Sequence, residues 1–355
     1  MILLFHKVVI QLYEILRRDV MNLKKLLTLS VMVLGIGILS GCGKEKEATG
    51  DKPVTLKLAL VDPESSNFAK GANKIAEEVA TATNGKIKID VYAGGSLGGE
   101  RDTVELAMGN NLDIATCANS VLTNFIPEMG ILDQAYLWAN ADEAHAAVDG
   151  KVGDLIKREA LKHGLHVIGF MESGFRNTFS TKPIKTMADF KGVTIRTMEN
   201  KYHQAAFESF GAMPIAMSYN DVFTALQQGT IDAAENATAN CLASGYYEVT
   251  KNITNTQHAF VYIVLCMSDS AWKQIPEDLQ KPFLEAVQRG VEAQRGYLVE
   301  ANKEATKELE AKGVSFYEID IPQLQAAYKA KAKEKGFTFD KEWEDAVQEA
   351  IDSLK

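Results

Sequence analysis

From Glu277 to Lys312 the chain offers an almost unbroken run of helix formers, relieved only by Gly290 and Gly296, with no proline after Pro282. A helix of about 35 residues would be about 50 Å long at the standard rise, more than the width of one small domain. The run is therefore expected to lie across two lobes. The length of 355 residues permits this, because a single core stops growing near ~250–300 residues.

The rest of the chain alternates strands and helices. Val54 to Leu60 alternates as a strand, Ser66 to Thr83 keeps a helical period, and Ile87 to Tyr92 alternates again. Gly98-Gly99 opens a helix over Glu100 to Gly109, and Leu112 to Cys117 reads as a short buried strand. That order predicts a parallel α/β sheet. A similar rhythm restarts with strands at His166 to Phe170 and Val193 to Arg196, and helices at Tyr202 to Phe210 and Asn220 to Gln228. Ala259 to Met267 reads as a strongly apolar strand.

The N-terminal region reads as an export address. Leu26 to Leu39 carries no charge and follows Lys24-Lys25, a length that suits a signal peptide and falls short of a spanning helix. Its end, Leu39-Ser40-Gly41-Cys42, resembles the bacterial lipobox, in which the cysteine thiol takes the lipid. Met21 begins a well-formed signal by itself, so residues 1–20 are read as a start-site extension, 21–41 as the signal peptide and 42–52 as a flexible tether. Cys117, Cys241 and Cys266 then remain, an odd number that implies buried thiols or at most one bridge.

Composition excludes several classes. The net charge of −9, from 38 basic and 47 acidic residues, argues against nucleic acid as a partner. No zinc spacing, nucleophile elbow, Walker loop or dinucleotide fingerprint is present, so neither a metal nor another cofactor is expected. Gly94-Gly95-Ser96-Leu97-Gly98-Gly99 lacks the Lys-Ser/Thr pair of a phosphate loop and reads as a loop feeding a helix. His163 and His166 lack further ligands nearby and read as surface or core histidines.

Two arginines carry chemistry. Arg196 ends the apolar strand Val193-Thr194-Ile195-Arg196, at the strand end where α/β sheets place ligand groups. A planar guanidinium there can hold a carboxylate through two parallel hydrogen bonds. Arg176 sits at the junction of the two halves. The alternative for both is a structural ion pair.

Four blocks bear on that choice: Gly174-Phe175-Arg176-Asn177, Asp189 to Arg196, Gly211 to Tyr219, and Thr224 to Asn236, the last ending in Glu235-Asn236. Together they resemble the DctP-type solute-binding proteins of tripartite ATP-independent periplasmic (TRAP) transporters. The resemblance extends from Val54 to the C-terminal helices. It implies an α/β, two-lobed, hinged fold like that of periplasmic binding proteins, with the long helix spanning both lobes. The lobes would comprise 53–173 plus about 262–301, and 174–261 plus about 302–355.

The family's function would make this chain a monomeric extracytoplasmic receptor. It would close on a sugar acid or dicarboxylate and deliver it to membrane permease subunits, without enzymatic turnover. Arg196 matches the family's carboxylate clamp, Arg176 a supporting arginine, Asn236 an amide contact, Tyr219 an aromatic contact and Asn67 a polar contact of the first lobe. The segment Thr197 to Asn200 would tune selectivity for ligand hydroxyls. Ala118-Asn119 departs from members that carry an acidic residue there, which argues against a sialic-acid-type pocket. The competing readings are a lipid-anchored exported enzyme, and the receptor of an ATP-driven importer or a sensor.

Overall fold

The computed structural model describes residues 52–355. The start-site extension, the signal peptide, Cys42 and nearly all of the tether lie outside them. Strands β1 (Val54–Ala59), β2 (Ile87–Tyr92), β3 (Ile114–Ala118) and β4 (Leu165–Phe175) lead into a second group. That group is β5 (Asn177–Ser180), β6 (Thr194–Thr197), β7 (Met213–Ala216), β8 (Ala233–Asn236) and β9 (Asn252–Thr254). Then β10 (Phe260–Ser268) returns to the first sheet, and β11 (Ser315–Tyr317) joins the second.

The first sheet has the order β2-β1-β3-β10-β4. Its first three strands are parallel, joined by helices α1 (Asn67–Ala82) and α2 (Glu100–Met108). Ser66 starts α1 by accepting the Ala69 amide at 3.1 Å, and Phe68, Ala72, Ile75 and Val79 form its buried stripe. The parallel rhythm does not extend to β10, which is antiparallel to both neighbours. Every residue of β10 is buried, as its continuous apolar run requires.

The second sheet has the order β11-β9-β5-β8-β6-β7 and carries apolar clusters on both faces. Consecutive residues of β8 serve opposite sides, Ala233 with Phe190, Phe207 and Leu324, and Ala234 with Phe179, Leu226 and Ile253. Helix α3 (Lys201–Phe210) closes on Gly211, whose φ of 98° lets its amide and that of Ala212 cap the last carbonyls.

Helix α4 (Glu277–Ala311) is the long helix, and it does span both cores. Phe283, Ala286, Val287 and Val291 enter the first core, while Leu298, Ala305 and Leu309 enter the second. The first core admits α4 closely because Gly290 lies against Ile75 of α1. Helix α5 (Lys341–Asp352) departs from the expected division. Residues 302–355 are expected in the second lobe, but Trp343, Ala346, Val347 and Ala350 bury into the first core. A strongly one-sided apolar stripe has to be covered, and the first core is what covers it.

Cys117, Cys241 and Cys266 are all buried free thiols. No helix among the described residues is long and apolar enough to cross a membrane.

Candidate functional site

The chain passes from the first sheet to the second through Arg176, between β4 and β5, and back between β9 and β10. The Arg176 amide donates to the Ala259 carbonyl at 2.9 Å, so the two crossings are tied together. Beside them lies a cavity enclosing about 330 Å³ between the atoms, mouth included. Arg176, Arg196, Asn236 and Tyr219, four of the five expected ligand residues, line it. Ser173, Asn240, Asp62 and Glu100 complete its polar wall, with Phe68, Met198 and Val261 among the apolar ones.

Arg196 reaches this place because β6 pairs in parallel with β7, setting Arg196 opposite Ile215. The chain leaving β7 brings the Met217 carbonyl to Arg196 Nε at 2.9 Å. Arg196 is only 3% exposed, and its Nη1 stands 3.6 Å from Glu235. No other hydrogen bond holds its guanidinium among the described residues, so its Nη end remains to serve the cavity.

Arg176 is more heavily engaged. Nε pairs with the Glu235 carboxylate, Nη2 donates to the Glu235 carbonyl at 2.7 Å and to Oε1 at 3.0 Å, and Nη1 donates to Asn236 Oδ1 at 2.8 Å. Arg176, expected to support the ligand, is a structural ion-pair partner of Glu235. His258 Nε2 approaches Glu235 at 3.3 Å, and its Nδ1 meets Thr256 Oγ1 at 3.0 Å. A neutral imidazole protonated at Nε2 satisfies both contacts. Burial opposes ionisation of Glu235, yet Arg176 and His258 hold its carboxyl far below the usual range.

His203, Glu235 and His258 each place a ligand atom within 4.8 Å of the others. Three such groups could hold a cation, but Glu235 is committed to Arg176, and His203 Nε2 faces Ser120 at 3.3 Å and Asp133 at 3.6 Å.

Asn67 does not join the cavity. Its side chain accepts from Gln294 Nε2 at 2.7 Å and approaches Asn240 Oδ1 at 3.4 Å, which ties α1 to α4. The helix cap is Ser66, one residue earlier. In the segment Thr197 to Asn200, Met198 alone lines the cavity. Asn200 instead caps α3 and donates to the Ser120 carbonyl at 3.0 Å and Asp133 Oδ2 at 2.7 Å, while Glu199 pairs with Arg101 at 3.3 Å. Those contacts hold the lobes together across the cleft.

Two carboxylates escaped the sequence reading. Asp62 lies just beyond β1, and Glu100 opens α2 after the glycine-rich loop. Gly94, Gly95 and Gly98 adopt positive φ there, and the Gly99 amide donates to Asp102 at 2.9 Å, so the loop delivers Glu100 to the cavity. Their signal was position: polar residues beyond the C-terminal ends of parallel strands. Burial, then the neighbouring Glu100, pushes Asp62 up to about 7. Burial also raises Glu100, against the pull of the Ala118 amide and both arginines.

Comparison with known proteins bears on the family and the fold. The model of the bacterial extracellular solute-binding proteins, family 7 (DctP), matches residues 58–340. A solute-binding protein of Verminephrobacter eiseniae is 29% identical over 282 residues, 79% of this chain and 84% of the relative. The C4-dicarboxylate-binding protein DctB of Bacillus subtilis is 26% identical over 274 residues, 77% of this chain and 78% of the relative. A TRAP periplasmic solute-binding protein from Polaromonas sp. JS666, solved bound to D-erythronate, superposes with a TM-score of 0.78 at 29% identity. That superposition covers 84% of this chain and 98% of the other. A family match across both sheets and the long helix, joined to a shared fold, leads to one conclusion: the chain belongs to family 7 of the bacterial extracellular solute-binding proteins, the receptors of TRAP transporters.

Proposed function

We propose that the protein captures a small organic acid between its lobes and delivers it to the membrane subunits of a TRAP transporter. The observation that carries this reading is Arg196, buried at the cavity, where among the described residues the Nη end of its guanidinium makes no hydrogen bond and only approaches Glu235 at 3.6 Å. A buried cation with spare donors calls for an anion, and a carboxylate matches its fork. Arg176, Asn236 and Tyr219 line the same cavity and would flank the bound acid. Ligand that touches both lobes favours the closed arrangement over an open one.

The chain would act as a monomer, held at the membrane by a lipid on Cys42. Binding without turnover is expected, in contrast to an exported enzyme. Isothermal titration of the mature protein with a panel of organic acids tests the receptor reading. Binding with compaction in small-angle scattering supports it, and consumption of the ligand by pure protein overturns it. For the anchor, Cys42→Ser should release the protein from membranes, because the buried lipid is lost. A mutant still extracted only by detergent would refute that part.

A further inference from the structure

We infer that one face of the second lobe is a docking surface for an anionic phospholipid membrane, and that it sets this lobe against the headgroups. The inference goes beyond the receptor reading and involves no ligand.

The face is built over one apolar cluster. Ile184 and Phe190, then Phe207 and Phe210 of α3, then Leu324 and Tyr328 all pack into it. The segments that supply them, 181–193, 201–211 and 321–337, therefore form one layer. They carry eight lysines against three acids, Asp189, Glu208 and Glu334, in a chain whose formal net charge is −9. Lys182, Lys185 and Lys191 lie in the first segment, Lys201 in the second, and Lys329, Lys331, Lys333 and Lys335 in the third. All but Lys331 are exposed.

The helix Ile321–Lys335 shows how the pattern arises. Leu324 and Tyr328 bury its inner side, while Lys329 and Lys333, four residues apart, share an outer side. Two lysines are neutralised within the layer, Lys331 by Glu334 at 3.0 Å and Lys335 by Glu208 at 2.8 Å. Lys182 and Lys191 border one crevice, shared with Asp189 and Asp232. Asp189 turns back onto the Lys185 and Thr186 amides at 3.0 and 2.8 Å, and Asp232 onto the Thr194 amide at 2.9 Å. Lys182, Lys191, Lys329 and Lys333 have no ion-pair partner among the described residues.

These charges sit on flexible stems spread over three segments. That suits a sheet of headgroups, and not the two-bond grip on a single small anion. At physiological ionic strength charges act over about 8 Å, so the acids elsewhere in the chain do not cancel the layer at a surface it touches. With the lipid on Cys42 proposed above, residues 42–52 keep the folded chain within about 40 Å of the headgroups. The layer then has only to orient a molecule already at the membrane.

Lysine footprinting of tethered protein tests this. Residues 42–355 are coupled through the Cys42 thiol to maleimide lipid, in phosphatidylcholine vesicles with or without about one third phosphatidylglycerol. Cys117, Cys241 and Cys266 are buried and leave Cys42 as the reactive thiol. The result is therefore independent of whether cells lipidate Cys42. Labelling by an N-hydroxysuccinimide ester, read by mass spectrometry, should fall roughly 3- to 10-fold at Lys182, Lys191, Lys329 and Lys333 on the anionic vesicles alone. Lys88 and Lys281, exposed on the first lobe, should label unchanged. Salt at about 0.5 M should abolish the protection. Lys329→Gln combined with Lys333→Gln, checked for folding by circular dichroism, should restore labelling of Lys182 and Lys191 to at least about half its value on neutral vesicles. Equal labelling on neutral and anionic vesicles overturns the inference, as does protection spread evenly over both lobes or an unchanged footprint in the variant. Protection of the same lysines in concentrated protein without lipid would assign the layer to a second copy and overturn it too. None of these results bears on ligand binding, which the titration above reads separately.

Discussion

Arg176 presents Nε and Nη2 to the carboxylate of Glu235 and keeps Nη1 for Asn236, 2.8 Å away. The pair is buried, with side chains 4% and 0% exposed. It joins the crossing between the sheets to β8, which lies beside β5 in antiparallel register. The cavity and the crossing between the sheets therefore share one guanidinium.

Removing the negative partner should show what that sharing costs. Glu235→Gln leaves a buried cation without its counterion, and the expected loss is about 3–5 kcal/mol. Denaturant unfolding of the unliganded protein reads it as a lower midpoint at unchanged slope. A loss below about 1 kcal/mol would mean that the pair behaves like an exposed one.

Arg196→Lys separates the clamp from the scaffold. Lysine keeps the charge but cannot hold the Met217 carbonyl and a two-bond carboxylate together. Affinity for a bound acid should fall by about 2–4 kcal/mol, roughly 30- to 1000-fold, in a titration. Normal affinity in a less stable protein would instead assign Arg196 to the framework alone.

Asp62 gives a pH signature. Its folded value of about 7 lies well above the ordinary aspartate range, chiefly through burial and then through Glu100. The folded state thus holds a proton that the unfolded state has released, and wild-type stability should fall as pH rises from about 4 to about 7. Asp62→Asn removes that titration. Measured against wild type, the variant should gain on the order of a few kcal/mol between pH 4 and pH 8. Parallel stability curves would show that Asp62 is solvated in the folded protein.

The seam between α1 and α4 offers a paired test of close approach. A Cβ on Gly290 would lie 2.4 Å from Ile75 Cγ1 and 2.7 Å from its Cα, whereas one on Gly296 meets nothing within 4 Å. Gly290→Ala should cost about 1–3 kcal/mol through overpacking. Gly296→Ala should gain about 0.5–1 kcal/mol from helix propensity. Equal effects on thermal unfolding would deny the close contact.

Much of this molecule is legible along the chain. The α1 stripe, the fully apolar β10 and the long α4 follow from local period and composition, because each element's burial is written into its own residues. Strand-end placement likewise points to Arg196 before any coordinates are known. Other features depend on partners far apart in the chain. Glu235 lies 59 residues from Arg176, so only the folded sheet discloses that the arginine is half spent. Asn67, expected at the ligand from the resemblance, is met by Gln294 of α4 from 227 residues away. The glycine at 290 reads as a weak point in a helix, and becomes intelligible once Ile75 occupies the space beside it. The elements, their apolar faces and the family are readable from the chain, since those depend on neighbours a few residues apart. Which polar groups are spent on one another emerges only in the folded chain, because hydrogen bonds and ion pairs form through space between residues far apart in sequence.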